Sequence, residues 1–158
     1  MPIDPSLTKY YRRARFTTRL PIKYLFAPSH FWLETLEPDL YRIGLTHFAT
    51  RMLGDFVECE FTAELQSPIE LGQSIGWIEG FKALSDIYSV IDGKLIESNE
   101  ALKTNPGFMD RDPYDRGWLF IARGVPDPRI VDAEGYESLL DIAIDRILSQ
   151  EEQEGKKC

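Results

Sequence analysis

The chain has 158 residues and a formal net charge of −8 at pH 7. Its length is about that of one domain, and 43% hydrophobic with 28% charged residues is typical of a globular protein. A negative net charge argues against nucleic acid as the main partner, because phosphate binding needs a basic face. No apolar run reaches the length of a membrane span, and the start lacks the apolar segment of a secretory signal. We therefore expect a cytoplasmic protein with no membrane partner.

Residues 1–24 form an extension that is rich in basic side chains. These are Lys9, Arg12, Arg13, Arg15, Arg19 and Lys23, opposed only by Asp4. The C-terminal stretch from Asp132 to Glu154 is strongly acidic. Two interpretations of the extension remain open: a solvated arm that pairs with the protein's own acidic surface, or a docking patch for an acidic partner.

Short strands and turns follow the extension. Val57, Cys59 and Phe61 alternate with Glu58 and Glu60, which predicts a half-buried strand with those three residues on its apolar face. A hairpin is predicted next, with strands at 74–79 and 86–91 and its tip at 80–83. A second hairpin is predicted at Asp92-Gly93, because both positions tolerate positive φ, and it returns the chain through 94–98.

The last third of the chain changes to a helical period. Asn99 is predicted to cap a short helix through Leu102, and a strand is predicted at 118–122. Apolar residues then recur at three and four positions, which predicts an amphipathic helix: Tyr136, Leu139, Leu140, Ala143, Ile144, Ile147 and Leu148. Asp132 is its predicted N-cap, and Gly155 lies just beyond its predicted end. The expectation is a mainly β barrel or sandwich over residues 25–150 that carries this helix, followed by a polar tail at 151–158.

Motifs of enzymes are missing from the sequence. It contains no glycine-rich phosphate loop, paired-histidine metal motif or nucleophile elbow. Cys59 and Cys158 lack metal-ligand spacing and fit a reducing compartment. Attention therefore falls on Lys82, which lies at the predicted hairpin tip between apolar Phe81 and Ala83. A lysine there is exposed and held at a defined place, although most hairpin lysines serve only solubility.

The segment around Lys82 resembles a known family. Its sequence, Ile78-Glu79-Gly80-Phe81-Lys82-Ala83-Leu84-Ser85-Asp86, is similar to the lipoylation segment of glycine cleavage H proteins, usually Val-Glu-Ser-Val-Lys-Ala-x-Ser-Asp. The resemblance extends from about residue 24 to 140, through blocks at 44–46, 53–57, 93–102, 105–106, 112–119 and 132–137.

This resemblance implies a fold and a cofactor. The fold is a lipoyl-type barrel-sandwich hybrid, and the cofactor is lipoate in amide linkage to Lys82. Glu79 matches an acidic residue that the lipoate-attaching ligase or transferase reads. A carrier of this kind has no catalytic site of its own, and dihydrolipoamide dehydrogenase is among the partners implied.

The sequence departs from the family in front of the first strand. The family has Ser-His-Glu-Trp where this chain has Ser29-His30-Phe31-Trp32. The resemblance implies that Ser29, the residue at Phe31 and Asp86 line the cleft for the loaded arm. A phenyl ring cannot give a cationic cargo the charge-assisted hydrogen bond of a carboxylate. Gly80-Phe81 in place of Ser-Val is a second departure.

Three hypotheses follow. The departures favour a carrier of sulfur intermediates that serves a heterodisulfide-reductase-like complex in sulfur oxidation. The alternative is a genuine glycine cleavage carrier that shuttles the aminomethyl group between glycine decarboxylase and aminomethyltransferase. A third hypothesis, an unmodified interaction module, is disfavoured by the retained Glu79, Lys82, Ala83 and Asp86.

Overall fold

Antiparallel strands dominate the fold, as the sequence predicts. The computed structural model describes residues 3–156, and the side chain of Lys156 is left out of the description. After a 3-10 turn at Pro5–Leu7, the strands are β1 (Thr8–Arg13), β2 (Phe16–Pro21), β3 (Leu25–Phe26), β4 (Phe31–Glu37), β5 (Leu40–Leu45), β6 (Phe56–Phe61), β7 (Pro68–Ile69), β8 (Ser74–Gly80), β9 (Leu84–Tyr88), β10 (Ile91–Ser98) and β11 (Phe120–Pro126). The helices are α1 (His47–Leu53), α2 (Ala101–Thr104), α3 (Phe108–Arg111) and α4 (Ala133–Lys156).

Two sheets enclose the main core. One has six strands in the order β3-β4-β5-β11-β10-β7, and the other has three in the order β6-β8-β9. Both sheets contribute side chains to one apolar cluster, which includes Leu33, Ile43, Ile75, Ile87 and Leu95. Burial of these aliphatic side chains is the main stabilising contribution of the fold.

Residues 3–24 of the N-terminal extension are folded. Strands β1 and β2 form a separate hairpin whose inner face packs on α4 and α1 in a second cluster, with Tyr11, Phe16 and Leu20 buried. Ion pairs reinforce the contact with α4: Lys9 to Glu137 at 3.3 Å, and Arg13 to Asp141 at 3.5 Å and Asp145 at 2.7 Å. Part of the basic extension thus pairs with the protein's own acidic helix, as the first interpretation predicts, but as a hairpin and not as a solvated arm.

Two details of the predicted strands are wrong. Asp92-Gly93 is not a turn, because β10 continues through it and Gly93 pairs with Gly124 of β11. A Cβ on Gly93 would overlap the carbonyl of Arg123, so this glycine serves a close approach of two strands and not positive φ. Val57 is 40% exposed and does not join the core face, because the register of β6 shifts between Phe56 and Glu58.

The short helix and the last strand are close to their predicted places. The Asn99 side chain accepts a hydrogen bond from the Ala101 N–H at 3.1 Å, but the N-cap of α2 is Glu100, one residue later than predicted, and the helix continues to Thr104. The last strand, predicted at 118–122, is β11 and begins at Phe120.

The C-terminal helix is confirmed but extends further than predicted. The Asp132 carboxylate accepts a hydrogen bond from the Gly135 N–H at 2.8 Å, which is the predicted cap. Gly155 lies inside α4 and not beyond it, so 151–156 is helical; a single glycine costs only about 1 kcal/mol in a helix. Residues 157–158, with Cys158 and the end of the expected tail, and residues 1–2 lie outside the described residues. Among residues 3–156, no helix has the length and apolar character to cross a membrane.

Candidate functional site

The predicted hairpin around Lys82 is confirmed, but its second strand is Leu84–Tyr88 and not 86–91. Strands β8 and β9 pair in antiparallel fashion, and residues 81–83 form the tip between them. The turn is closed by a hydrogen bond of 2.9 Å from the Gly80 N–H to the Ala83 carbonyl. Lys82 is exposed and Phe81 beside it is 80% exposed, so the amine projects from the end of a two-stranded support.

The backbone of this tip is attached to the connection between α1 and β6. The Lys82 N–H donates to the Leu53 carbonyl at 2.8 Å, and the Phe81 N–H donates to the Asp55 carbonyl at 3.0 Å. These bonds fix the backbone of the lysine while they leave its side chain free. The site therefore combines a fixed backbone with an exposed amine.

Helix α1 places those carbonyls. Its N-cap is Thr46, whose side chain accepts from the Ala49 N–H at 3.3 Å. The helix ends where the Gly54 N–H donates to the Thr50 carbonyl at 3.1 Å, and Gly54 takes φ 79° and ψ −177°. A residue with a Cβ rarely adopts this conformation, so glycine is required for the chain to turn away from α1 under the hairpin tip.

Two glycines allow the tip to approach this connection closely. A Cβ on Gly54 would lie 2.8 Å from Lys82 Cγ and 3.0 Å from the Lys82 nitrogen. A Cβ on Gly80 would overlap the carbonyls of Leu53 and Gly54. In the sequence, Gly80 is visible only as a departure from the family, because Gly54 and Gly80 are distant in the chain and nothing local indicates that they meet. The run Leu53-Gly54-Asp55 directly after a helix is the available signal.

The acidic residues of the predicted site lie on the two strands of the hairpin. Glu79 is half-buried on β8 and pairs with Leu84 of β9, one step from the tip. Asp86 is exposed on β9, pairs with Trp77, and accepts a hydrogen bond from the Tyr88 hydroxyl at 3.2 Å. Glu79 and Asp86 line one shallow depression together with Trp77, Leu84 and Ser85. The structure thus brings Glu79 and Asp86 together beside Lys82.

The residues in front of β4 have a different place. Phe31 is 3% exposed and packs in the main core, whereas Ser29 is exposed. Phe31 therefore has a packing role, and the assignment of Ser29, Phe31 and Asp86 to a common cleft stays a prediction. Between them and α4, His30 is hydrogen-bonded through Nδ1 to the Tyr136 hydroxyl at 2.8 Å, and burial lowers the pKa of His30.

The surroundings of Lys82 fit a lysine that is modified covalently. Among residues 3–156, no carboxylate forms an ion pair with the Lys82 amine. The same residues contain no group of three His, Cys, Asp or Glu side chains that could hold a metal ion. An exposed amine without a partner, on a fixed backbone, is accessible to an acylating enzyme.

Comparisons with known proteins show which family this chain resembles. The family profile described as glycine cleavage H-protein matches residues 24–141. The glycine cleavage system H protein of Corynebacterium jeikeium is 36% identical over 124 residues, which cover 77% of this chain and 97% of that protein. The H protein of Photorhabdus laumondii is 35% identical over 127 residues, which cover 78% of this chain and 97% of that protein.

A solved structure gives the same result for the fold. The crystal structure of a glycine cleavage system H protein from Mycobacterium marinum has a TM-score of 0.69 and 27% sequence identity, and covers 75% of this chain and 97% of that one. The predicted lipoyl-type barrel-sandwich fold with a C-terminal helix is confirmed.

Proteins of this family carry lipoate covalently on a lysine and act as carriers without a catalytic site of their own. Lys82 on its anchored hairpin fits that cofactor. The profile match and the 36% identical relative show that the chain belongs to the glycine cleavage H-protein family.

Proposed function

We propose that Lys82 is the lipoylated residue and that the protein shuttles the aminomethyl group between glycine decarboxylase and aminomethyltransferase. The main support for this proposal is the anchored tip of the hairpin. The carbonyls of Leu53 and Asp55 accept hydrogen bonds from the backbone of residues 81–82, while the Lys82 amine is free. The lipoyl group supplies a ring disulfide that a nucleophile opens readily. The chain supplies the fixed origin of the tether, which raises the local concentration of the arm at each docked enzyme.

Glycine cleavage is a better proposal than sulfur oxidation. The preference for sulfur oxidation depended on Phe31 and on Gly80-Phe81. In the structure, Phe31 packs in the core and Gly80 permits the approach of residues 53–54, so these two substitutions have packing explanations, whereas nothing in the structure explains the exposed Phe81. The relatives described above are named for glycine cleavage, and these comparisons give no support to the heterodisulfide-reductase-like partner.

The same proposal identifies the enzymes that attach the lipoyl group and reoxidise it. A lipoate-attaching ligase or transferase modifies Lys82 and reads Glu79, which is half-buried one step from the tip. Dihydrolipoamide dehydrogenase reoxidises the arm. The loaded arm lies in a cleft to which Ser29 and Asp86 belong, while the predicted third member, Phe31, is buried in the core and offers that cleft no polar group. A cytoplasmic location fits the free thiol of Cys59, since reducing compartments keep thiols unpaired.

Intact mass spectrometry tests the modified residue. After incubation with lipoate and a lipoate ligase, the wild type is expected to gain one lipoyl group and Lys82→Arg none. Lys94→Arg is the matched control, because Lys94 is also exposed but lies within strand β10, and this variant is expected to gain one lipoyl group. A folded Lys82→Arg variant that still gains a lipoyl group would show that Lys82 is the wrong lysine.

Glycine-dependent bicarbonate exchange tests the pathway. The lipoylated protein is incubated with glycine decarboxylase, glycine and labelled bicarbonate, and the C. jeikeium relative serves as a parallel carrier. We expect label to enter glycine with both carriers. Exchange with the relative but not with this protein, both fully lipoylated, would contradict the glycine cleavage role and revive the sulfur-oxidation hypothesis.

A further inference from the structure

The outer face of the N-terminal hairpin is a basic surface in an acidic protein. In the pairing of β1 with β2, Tyr10 lies opposite Arg19 and Arg12 lies opposite Thr17. These four residues are exposed, while their neighbours Tyr11, Thr18 and Leu20 point to the buried side. Arg15 is exposed in the turn between the strands. We call Tyr10, Arg12, Arg15, Thr17 and Arg19 the basic face.

The two faces of this hairpin use their charges differently. On the inner side, Arg13 is paired with Asp141 and Asp145, and Lys9 with Glu137. On the basic face, none of the three arginines forms an ion pair with a described residue. Arg19 instead lies over the ring of Tyr10, 5.6 Å from its centroid, and Tyr10 is 53% exposed. The acidic helix therefore neutralises the inner cations and leaves the outer ones available.

This face is an addition to the carrier domain. The family profile begins at residue 24, directly after the hairpin of β1 and β2, which ends at Pro21. The hairpin is nevertheless fixed to the carrier by Phe16, whose ring lies 5.6 Å from that of Phe48 and 5.5 Å from that of His47. Because the basic face is attached to the carrier domain and its charges are not paired among the described residues, these charges are available to bind another molecule and are not used to stabilise the hairpin.

Helix α1 connects this face to the lipoyl site. Phe16 contacts the start of α1, and the carbonyl of Leu53 at its end holds the Lys82 N–H. The seven residues of α1 span about 10 Å at ~1.5 Å per residue. A protein interface of ordinary size buries about 800 Å² on each partner, a patch roughly 30 Å across, which is wider than the length of α1. A partner of that size that contacts the hairpin can therefore also extend along α1 toward the lipoyl site.

We propose that the basic face is a docking surface for a carboxylate-rich surface on the enzyme that exchanges cargo with the arm, an inference that rests on the proposed function. Guanidinium groups suit this partner, because their planar donors pair bidentately with carboxylates. Arginine and tyrosine are also the residue types that contribute most in protein interfaces. The interaction increases the rate of encounter and orients the carrier so that Lys82 faces the enzyme.

Calorimetric titration of the full-length lipoylated protein into glycine decarboxylase, and separately into aminomethyltransferase, tests this inference. Arg12→Gln/Arg19→Gln removes two charges from the basic face. The control, Lys94→Gln/Arg146→Gln, removes two exposed positive charges elsewhere, so the two variants have the same net charge. We expect the first variant to raise Kd for at least one enzyme by about ten-fold at low ionic strength, and the control to leave it unchanged. The difference is expected to shrink at high salt.

Bicarbonate exchange by the wild type separates the two proposals. A wild type that binds the enzymes but supports no exchange would refute the glycine cleavage role, and the binding comparison would still decide the role of the basic face. Equal Kd values for both variants would overturn the docking inference, whether or not exchange occurs. If Arg12→Gln/Arg19→Gln weakened binding to single-stranded RNA but left binding to both enzymes unchanged, the docking inference would be overturned in favour of a nucleic acid partner.

Discussion

Replacing Gly54 with alanine tests whether the anchored tip matters for lipoylation. Gly54 has φ 79° and ψ −177°, and its missing Cβ is what lets the Lys82 backbone come within hydrogen-bonding distance of Leu53. Gly54→Ala is therefore expected to strain the backbone and to displace the tip. Gly72→Ala is a matched control, since Gly72 has φ 81° but no heavy atom within 4 Å of the place that an alanine Cβ would occupy.

The expected loss of stability has two contributions. A residue with a Cβ in a strained conformation of this kind costs about 1–3 kcal/mol, which applies to both variants. Gly54→Ala also places its Cβ 3.0 Å from the Lys82 nitrogen, which endangers the Lys82 hydrogen bond to Leu53. Loss of that bond adds about 1 kcal/mol. We expect Gly54→Ala to lower the free energy of unfolding by about 2–4 kcal/mol in total, more than Gly72→Ala.

Two assays report the outcome. Urea denaturation gives the free energy of unfolding of each variant, and a time course of intact mass with a lipoate ligase gives the rate of lipoylation. Gly54→Ala is expected to be lipoylated more slowly than the wild type under conditions where both are folded, whereas Gly72→Ala keeps the wild-type rate. Equal destabilisation and equal lipoylation rates for the two variants would show that Gly54 does not position Lys82.

Further predictions concern the buried polar contacts beneath α4. The Tyr136 hydroxyl is hydrogen-bonded to His30 Nδ1 and to Thr46 Oγ1, each at 2.8 Å. Tyr136→Phe leaves these buried polar atoms without that partner and is expected to lower the free energy of unfolding by about 1–3 kcal/mol. An unchanged urea midpoint would contradict this. Burial lowers the pKa of His30 and of His47 in the folded protein below the ordinary value of 6.5. The unfolded chain therefore takes up protons first, and stability should fall as pH decreases from about 6.5 toward the lowered folded values. Urea titrations at pH 7.5 and 5.5 check this, and His30→Gln is expected to reduce the difference.

Local sequence patterns were sufficient to predict those elements whose structure depends on residues close together in the chain. The three- and four-residue spacing of apolar positions predicts α4, and Asp132 caps it as expected. The hairpin of β8 and β9 follows from its own sequence, and the resemblance around Glu79 and Lys82 identifies its tip as the place of a carrier lysine. These features depend on neighbours in the chain, so a sequence contains most of the information that they require.

Other features depend on contacts between distant segments. Asp92-Gly93 has the composition of a turn, yet Gly124 and the Arg123 carbonyl on β11 make it the middle of a strand. Phe31 suggests a missing carboxylate in a cleft, but the pleat of β4 turns its ring into the core. Local composition was compatible with both outcomes, and packing selected between them.

The family, the mainly β class, the terminal helix and the hairpin that presents Lys82 could all be predicted from the order of residues, because each is set by short-range periodicity or by a contiguous motif. How the lysine is held depends on packing. Gly54 and Gly80 meet there because α1 and the β8–β9 hairpin, remote in the chain, pack within hydrogen-bonding distance. Packing likewise divided the basic extension into an inner face neutralised by α4 and an outer face left unpaired among the described residues, since strand alternation sends successive side chains to opposite sides.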